Sequence, residues 1–169
     1  MISVRALGIR FTERLCESLA VRLVRRPRVA RTIGQALLHQ YIVFGEESRV
    51  TVAPGARINN ALLNVTSGRI TIEDDVMFGH NVTLLTGSHA IEARGKARLN
   101  AVPAEGRDII VRAGAWIASN ATIIGPAVIG EHAVVAAGAV VTGDVAANTL
   151  VAGVPARPLR QVDNDVRRD

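Results

Sequence analysis

Four histidines are the side chains of this sequence best suited to moving a proton near neutral pH: His39, His80, His89 and His132. A free imidazole titrates at about 6.5, so its neutral form can take a proton from a hydroxyl as a bond forms. Their settings differ. His80 in FGHNVT and His132 in IGEHAV stand where turn residues face water, and His39 ends a predicted helix. His89 closes the run Leu84-Leu85-Thr86-Gly87-Ser88-His89, after which the sequence changes pattern. A histidine where a loop leaves a rigid scaffold is well placed for catalysis. His89 is therefore the candidate general base.

The scaffold that must hold it is written as a beat of six. Val111, Ile117, Ile123, Ile129, Val135 and Val141 follow one another at six-residue steps. Four residues beyond each comes Ala115, Ala121, Ala127, Ala133, Ala139 and Val145. Neither a helix nor a flat strand has this period; a hexapeptide β-solenoid does. Three hexads make a triangular coil of about 18 residues, with the aliphatic position inside and the small one near a corner. Gly79, Gly125, Gly130 and Gly143, with Asn81 and Asn120, are expected to supply the corner conformations. Earlier in the chain the beat passes through Val52, Ile58, Thr66, Ile72, Phe78 and Leu84, with Ala56, Leu62, Ile70, Val76 and Val82 at the fourth offset. This register needs a two-residue irregularity between Ile58 and Thr66. After Leu84 the beat stops and resumes near residue 105, which leaves 90–104 as an excursion. The expected fold is mainly β: a left-handed parallel β-helix of about five coils, with an N-terminal helical segment over 1–45, a solenoid domain over 46–160 and a tail over 161–169. Pro155 and Pro158 are expected to end the regular ladder.

Composition agrees with a narrow core: 49% of residues are apolar but only 3% aromatic. The one cysteine, Cys16, has no partner for an intrachain disulfide, which points to a reducing, cytoplasmic setting. No apolar run reaches the length of a membrane span. The net charge of +5 is concentrated at the start, where residues 1–31 hold eight arginines against Glu13 and Glu17. Leu7, Phe11, Leu15, Leu19 and Leu23 predict an amphipathic helix over 5–26, and Val29, Ile33 and Leu37 a second over 28–39. A basic amphipathic helix suits either a cap on the solenoid or docking to anionic lipid at the inner membrane face. Nucleic-acid binding is not expected, because neither an aromatic platform nor a recognition motif is present.

Two longer runs, ITIEDDVMFGHNVTLLTGSHAIE and GAWIASNATIIGPAVIGEHAVVAAGAVVTGDV, with the closing VAGVPARPLR, resemble the hexapeptide-repeat acetyltransferases of the galactoside and maltose O-acetyltransferase group. The resemblance spans about residues 50–160. It implies transfer of an acetyl group from acetyl-CoA to a hydroxyl, with His89 as the base and no metal required. By the same resemblance, Asn59 matches an acceptor-binding position, and Trp116 an aromatic that shields the active site. Ser119 matches a residue whose backbone N–H lies near the thioester carbonyl. Ala137 and Thr142 match the walls of the coenzyme groove, and Arg157 and Arg160 match basic residues near its phosphates. The family pattern also implies a homotrimer with sites between neighbouring solenoids. Two departures stand out: Gly143 replaces a basic residue common after Thr142, and Ser67 stands where galactoside-type members carry an acid.

Other readings exist. A γ-type carbonic anhydrase needs three zinc-binding histidines, two of them in a His-x4-His pair. Here the closest pair, His80 and His89, is nine residues apart. A non-enzymatic scaffold would have no use for His89, Trp116 and the tail arginines together. An amino group is the remaining alternative acceptor.

Overall fold

The computed structural model describes residues 41–162. The two predicted N-terminal helices, the basic segment over 1–31, Cys16 and His39 lie outside the described residues.

The described chain is mainly β and winds through three sheets in turn. The first sheet stacks β1 (Ile42–Phe44), β3 (Leu62–Asn64), β6 (Thr83–Leu85), β9 (Thr122–Ile124) and β12 (Val140–Val141). The second stacks β2 (Val50–Val52), β4 (Ile70–Ile72), β7 (Ile109–Val111) and β10 (Ala127–Ile129). The third holds β5 (Met77–Phe78), β8 (Trp116–Ile117), β11 (Val134–Val135), β13 (Thr149–Gly153) and β14 (Ala156–Gln161). All neighbours pair in parallel except β13 and β14. This is a parallel β-helix. Strands this short cannot close a core alone; each is held by the backbone ladder of the coil above and below.

The hexad arithmetic explains the packing of the second half. Thr122 pairs with Val140, Ile109 with Ala127 and Trp116 with Val134, each 18 residues apart. The aliphatic positions Val111, Ile117, Ile123, Ile129, Val135 and Val141 are buried, as are Ala115, Ala121, Ala127, Ala133, Ala139 and Val145. Each fully buried aliphatic contributes about 1.5–3 kcal/mol of transfer free energy, so a stack of them holds the coil without any large ring.

In the first half the beat runs differently from the expected register. Leu62 is 39% exposed, whereas Ala61 and Leu63 are buried. Thr66 is only half-buried, and Ser67 takes the interior place. The irregularity therefore splits in two: Ile58 and Leu63 are five residues apart, and Leu63 and Ile72 nine. The reason is a side-chain-built corner. Asn64 Oδ1 accepts from the Thr66 N–H at 3.1 Å and from Thr66 Oγ1 at 2.8 Å, and Thr86 Oγ1 accepts from the Ser67 N–H at 3.2 Å. Such bonds stabilise a wider turn than the hexad allows. The ladder also begins earlier than expected, since β1 pairs with β3.

The corners use their residues otherwise than the composition suggested. The left-handed conformations at Asp75, Asn81, Asn120, His132 and Asn148 belong to residues that bear side chains. Asn81 and Asn120 do so as expected. Gly79 and Gly125 are needed for close approach instead: a Cβ would lie 2.5 Å from the Ser119 nitrogen and 2.3 Å from the Arg107 carbonyl, respectively.

At the far end the chain reverses. β14 pairs antiparallel with β13 as the outer strand of the third sheet. Pro155 lies in the connecting turn, and Pro158 lies on β14, the edge strand where a missing N–H is tolerated. The excursion occupies the chain between β6 and β7 and contains one short helix, α1 (Gly95–Asn100).

Candidate active site

His89 lies four residues beyond β6, at the root of the excursion, and its side chain is exposed. Its Nδ1 is 2.9 Å from the carbonyl oxygen of Arg98 in α1. A carbonyl can only accept, so Nδ1 carries the hydrogen, and in the neutral ring the lone pair is on Nε2. The imidazole is thus oriented as a base would be: one nitrogen held, the other free.

Several bonds root this loop. The Ala90 N–H donates to the Ala101 carbonyl at 2.9 Å, closing its neck. Arg49 donates to the Ala104 carbonyl at 2.8 Å, and Arg107 Nε donates to the Thr86 carbonyl at 2.8 Å. Two cavities flank His89. One, of about 300 Å³, is lined by Phe44, Asn64, Thr66, Gly87, Ser88 and Val102. The other, of about 360 Å³, is lined by Gly95, Arg98 and Leu99. The sequence assigns Thr66 to the interior beat and gives neither it nor Asn64 a place in the site. The stacking register could have found them, because Asn64 pairs with Leu85, four residues before His89.

The expected site residues fall into separate groups in one chain. Asn59, Ser119 and Ala137 share the corner between the third and first sheets. There Asn59 Nδ2 donates to the Phe78 carbonyl at 2.9 Å, Ser119 Oγ accepts from the His80 N–H at 3.0 Å, and the Ser119 carbonyl accepts from the Gly138 N–H at 3.0 Å. Trp116 lies beside that corner on β8, 45% exposed between Met77 and Val134. Thr142 and Arg157 line a cavity of about 380 Å³ at the end of the solenoid, together with Gly143 and Asp144. Neither Ala137 nor Arg160 lines it. Arg157 and Arg160 are exposed, each donating to a carbonyl of its own segment, and among the described residues neither pairs with a carboxylate. Ser67, the residue found in place of an acid, is wholly buried with its Oγ unpaired.

Between the His89 excursion and the Asn59–Ser119–Ala137 corner runs the first sheet. Its outer face is apolar at the N-terminal end, with Ile42 68% and Phe44 61% exposed beside Leu62. Among the described residues no three His, Cys, Asp or Glu side chains gather as metal ligands.

Known proteins resemble this chain in sequence and in fold. The family model described as bacterial transferase hexapeptide (six repeats) matches residues 108–143. A putative acetyltransferase of Schizosaccharomyces pombe is 34% identical over 145 residues, covering 76% of this chain and 68% of that protein. The galactoside O-acetyltransferase of Escherichia coli K12 is 29% identical over 136 residues, covering 79% of this chain and 64% of that protein. Among solved structures, a hexapeptide-repeat acetyltransferase from Vibrio cholerae in complex with acetyl coenzyme A superposes with a TM-score of 0.52 at 26% identity, covering 96% of this chain and 92% of that one.

Proposed function

The chain belongs to the hexapeptide-repeat acetyltransferases, and from that premise we propose that it moves an acetyl group from acetyl-CoA to a hydroxyl of a sugar or glycan precursor, with His89 as the general base. The observation that carries the proposal is the 2.9 Å contact from His89 Nδ1 to the Arg98 carbonyl, which leaves Nε2 without a partner among the described residues on a side chain that lines two cavities.

His89 Nε2 takes the acceptor's proton as its oxygen bonds to the thioester carbon. The backbone N–H of Ser119 stabilises the oxyanion that develops on the former carbonyl oxygen. The carbon–sulfur bond then breaks, and the imidazolium returns the proton to the departing thiolate. The Arg98 carbonyl faces the Nδ1–H of that imidazolium and offsets its transient charge, as a carboxylate does for the histidine of a hydrolase triad.

Coenzyme A fits the residues present. Arg157 and Arg160 offer guanidinium groups that pair with no carboxylate among the described residues, suited to charge-assisted bonds with phosphate oxygens. Thr142 and Ala137 supply slender walls. Gly143 removes one basic contact that a relative with Lys or Arg there would have.

We read the assembly as a homotrimer of left-handed, five-coil solenoids. Two features support this reading: the exposed Ile42 and Phe44 on the first sheet, and the division of the expected site residues between two corners of one chain. A neighbouring subunit would bring its Ser119 corner and Trp116 to the first subunit's His89. The basic segment 1–31 is read as a cap or as a contact with the inner membrane face of the cytoplasm; deleting it should lower association with anionic vesicles and spare coenzyme binding.

The direct test is titration calorimetry with acetyl-CoA, followed by a screen of hydroxyl and amino acceptors for thiol release. Binding and release with hydroxyl acceptors are expected. No binding would favour a scaffold role, and release with amines alone would replace O- by N-acetylation.

A further inference from the structure

Arg98 touches His89 through its backbone and lines a cavity with it, and the acyl-transfer chemistry above draws only on its backbone carbonyl. We propose that the Arg98 side chain makes it a positioning residue: the guanidinium fastens the loop, and so keeps the carbonyl of the same residue against His89 and holds the imidazole in the Nδ1–H tautomer. The inference rests on the reading of His89 as the base.

The geometry is a closed circuit. Arg98 Nε donates to the Ala93 carbonyl at 2.7 Å, and Nη2 donates to the Ile91 carbonyl at 2.9 Å. The carbonyl of Arg98 accepts from His89 Nδ1 at 2.9 Å. One residue thus ties the turn just after His89 to the helix that His89 leans on. A planar guanidinium presents its donors in a fixed fork, so two carbonyls are held at a set spacing.

Apart from the neck bond between Ala90 and Ala101 at its C-cap, α1 has little of its own to hold it there. The helix has six residues, buries none of them and has no side-chain N-cap. Isolated helices of that length are unstable in water. The Arg98 carbonyl is near the C-terminal end, where helix carbonyls lack a full intrahelical partner. The Ala101 N–H bonds mainly to the Ala97 carbonyl at 3.0 Å and reaches the Arg98 carbonyl only at 3.3 Å. That oxygen retains capacity for a second, shorter bond, and His89 takes it.

If the fork is lost, α1 is free to shift, and the ring loses the acceptor that selects its tautomer. The population with hydrogen on Nε2 then rises, and in that form the nitrogen facing the acceptor cannot take a proton. Coenzyme contacts at Thr142 and Arg157 lie elsewhere and should be untouched.

The test compares the full-length wild type with Arg98→Met, which keeps chain length without donors, and Arg98→Lys, which restores a donor. The protein is labelled with ¹⁵N-histidine and its ring nitrogens are observed at a pH of about 8.5, two units above the free imidazole value; the His89 signals are those lost in His89→Ala. Wild type should show Nδ1 protonated and Nε2 bare. Arg98→Met should show a growing Nε2–H form and a kcat lower by about tenfold or more, since small misplacements of catalytic groups cost that much. KM for acetyl-CoA should stay within about twofold, the sign that ground-state binding is intact. Arg98→Lys should recover part of both the spectrum and kcat. An Arg98→Met protein with the wild-type tautomer would overturn the proposal, whatever its rate or melting temperature. Should His89→Ala remain active, the general-base reading fails, yet the spectra still decide whether Arg98 sets the tautomer.

Discussion

The coils over 109–141 and the excursion between β6 and β7 are built on opposite principles. The coils bury an aliphatic and a small residue in each hexad and repeat the same contact at 18-residue intervals. In the excursion, α1 buries nothing, and the loop is held by the Ala90–Ala101 neck bond and by a few bonds from Arg49, Arg98 and Arg107 to backbone carbonyls. Stability in the coils is thus spread over many equivalent contacts, whereas the position of His89 depends on a few polar ones. Substitutions in the coils should change stability far more than chemistry, and substitutions in the loop the reverse.

The largest break in that contrast should come from the core. Ile123→Ala opens a void in a wholly buried site and should cost about 2–5 kcal/mol in chemical denaturation; a loss below about 1 kcal/mol would mean that the coils are not packed as described. Gly79→Ala should follow at about 1–3 kcal/mol from overpacking, because its Cβ would meet Ser119 N at 2.5 Å. This coil change should also slow acetyl transfer, as it displaces the proposed oxyanion donor. Arg157→Ala should raise KM for acetyl-CoA about tenfold, the worth of about one charge-assisted bond, with kcat nearly unchanged in steady-state assays. The smallest effect belongs to the loop: Leu99→Ala, at a site 70% exposed, should shift stability by no more than about 0.5 kcal/mol.

Legibility in the sequence followed the same division. The regular half could be read from the sequence alone because a narrow prism admits one aliphatic and one small residue per hexad, and Val111 through Val145 obey that without exception. The register failed from Leu62 to Thr66 because there side-chain bonds among Asn64, Thr66 and Thr86, invisible to periodicity, widen the corner. The place where the beat breaks was readable, and with it His89 at the root of a loop. The short helix, the Arg98 fork and the Asn64–Thr66 wall were not, since each depends on contacts that local propensity does not encode. Asn59, expected beside the acceptor, stands with Ser119 at another corner of the same chain; the sequence carries no signal for which corner of which subunit faces His89.

The most direct measurement is the rate of thiol release from acetyl-CoA by His89→Ala beside wild type, with coenzyme binding followed by calorimetry in the same preparations. A folded variant that binds acetyl-CoA as wild type does, yet transfers at least about a hundredfold more slowly, is the predicted result. Transfer at close to the wild-type rate would contradict the account, because among the described residues no other histidine lines the cavities at the root of the excursion.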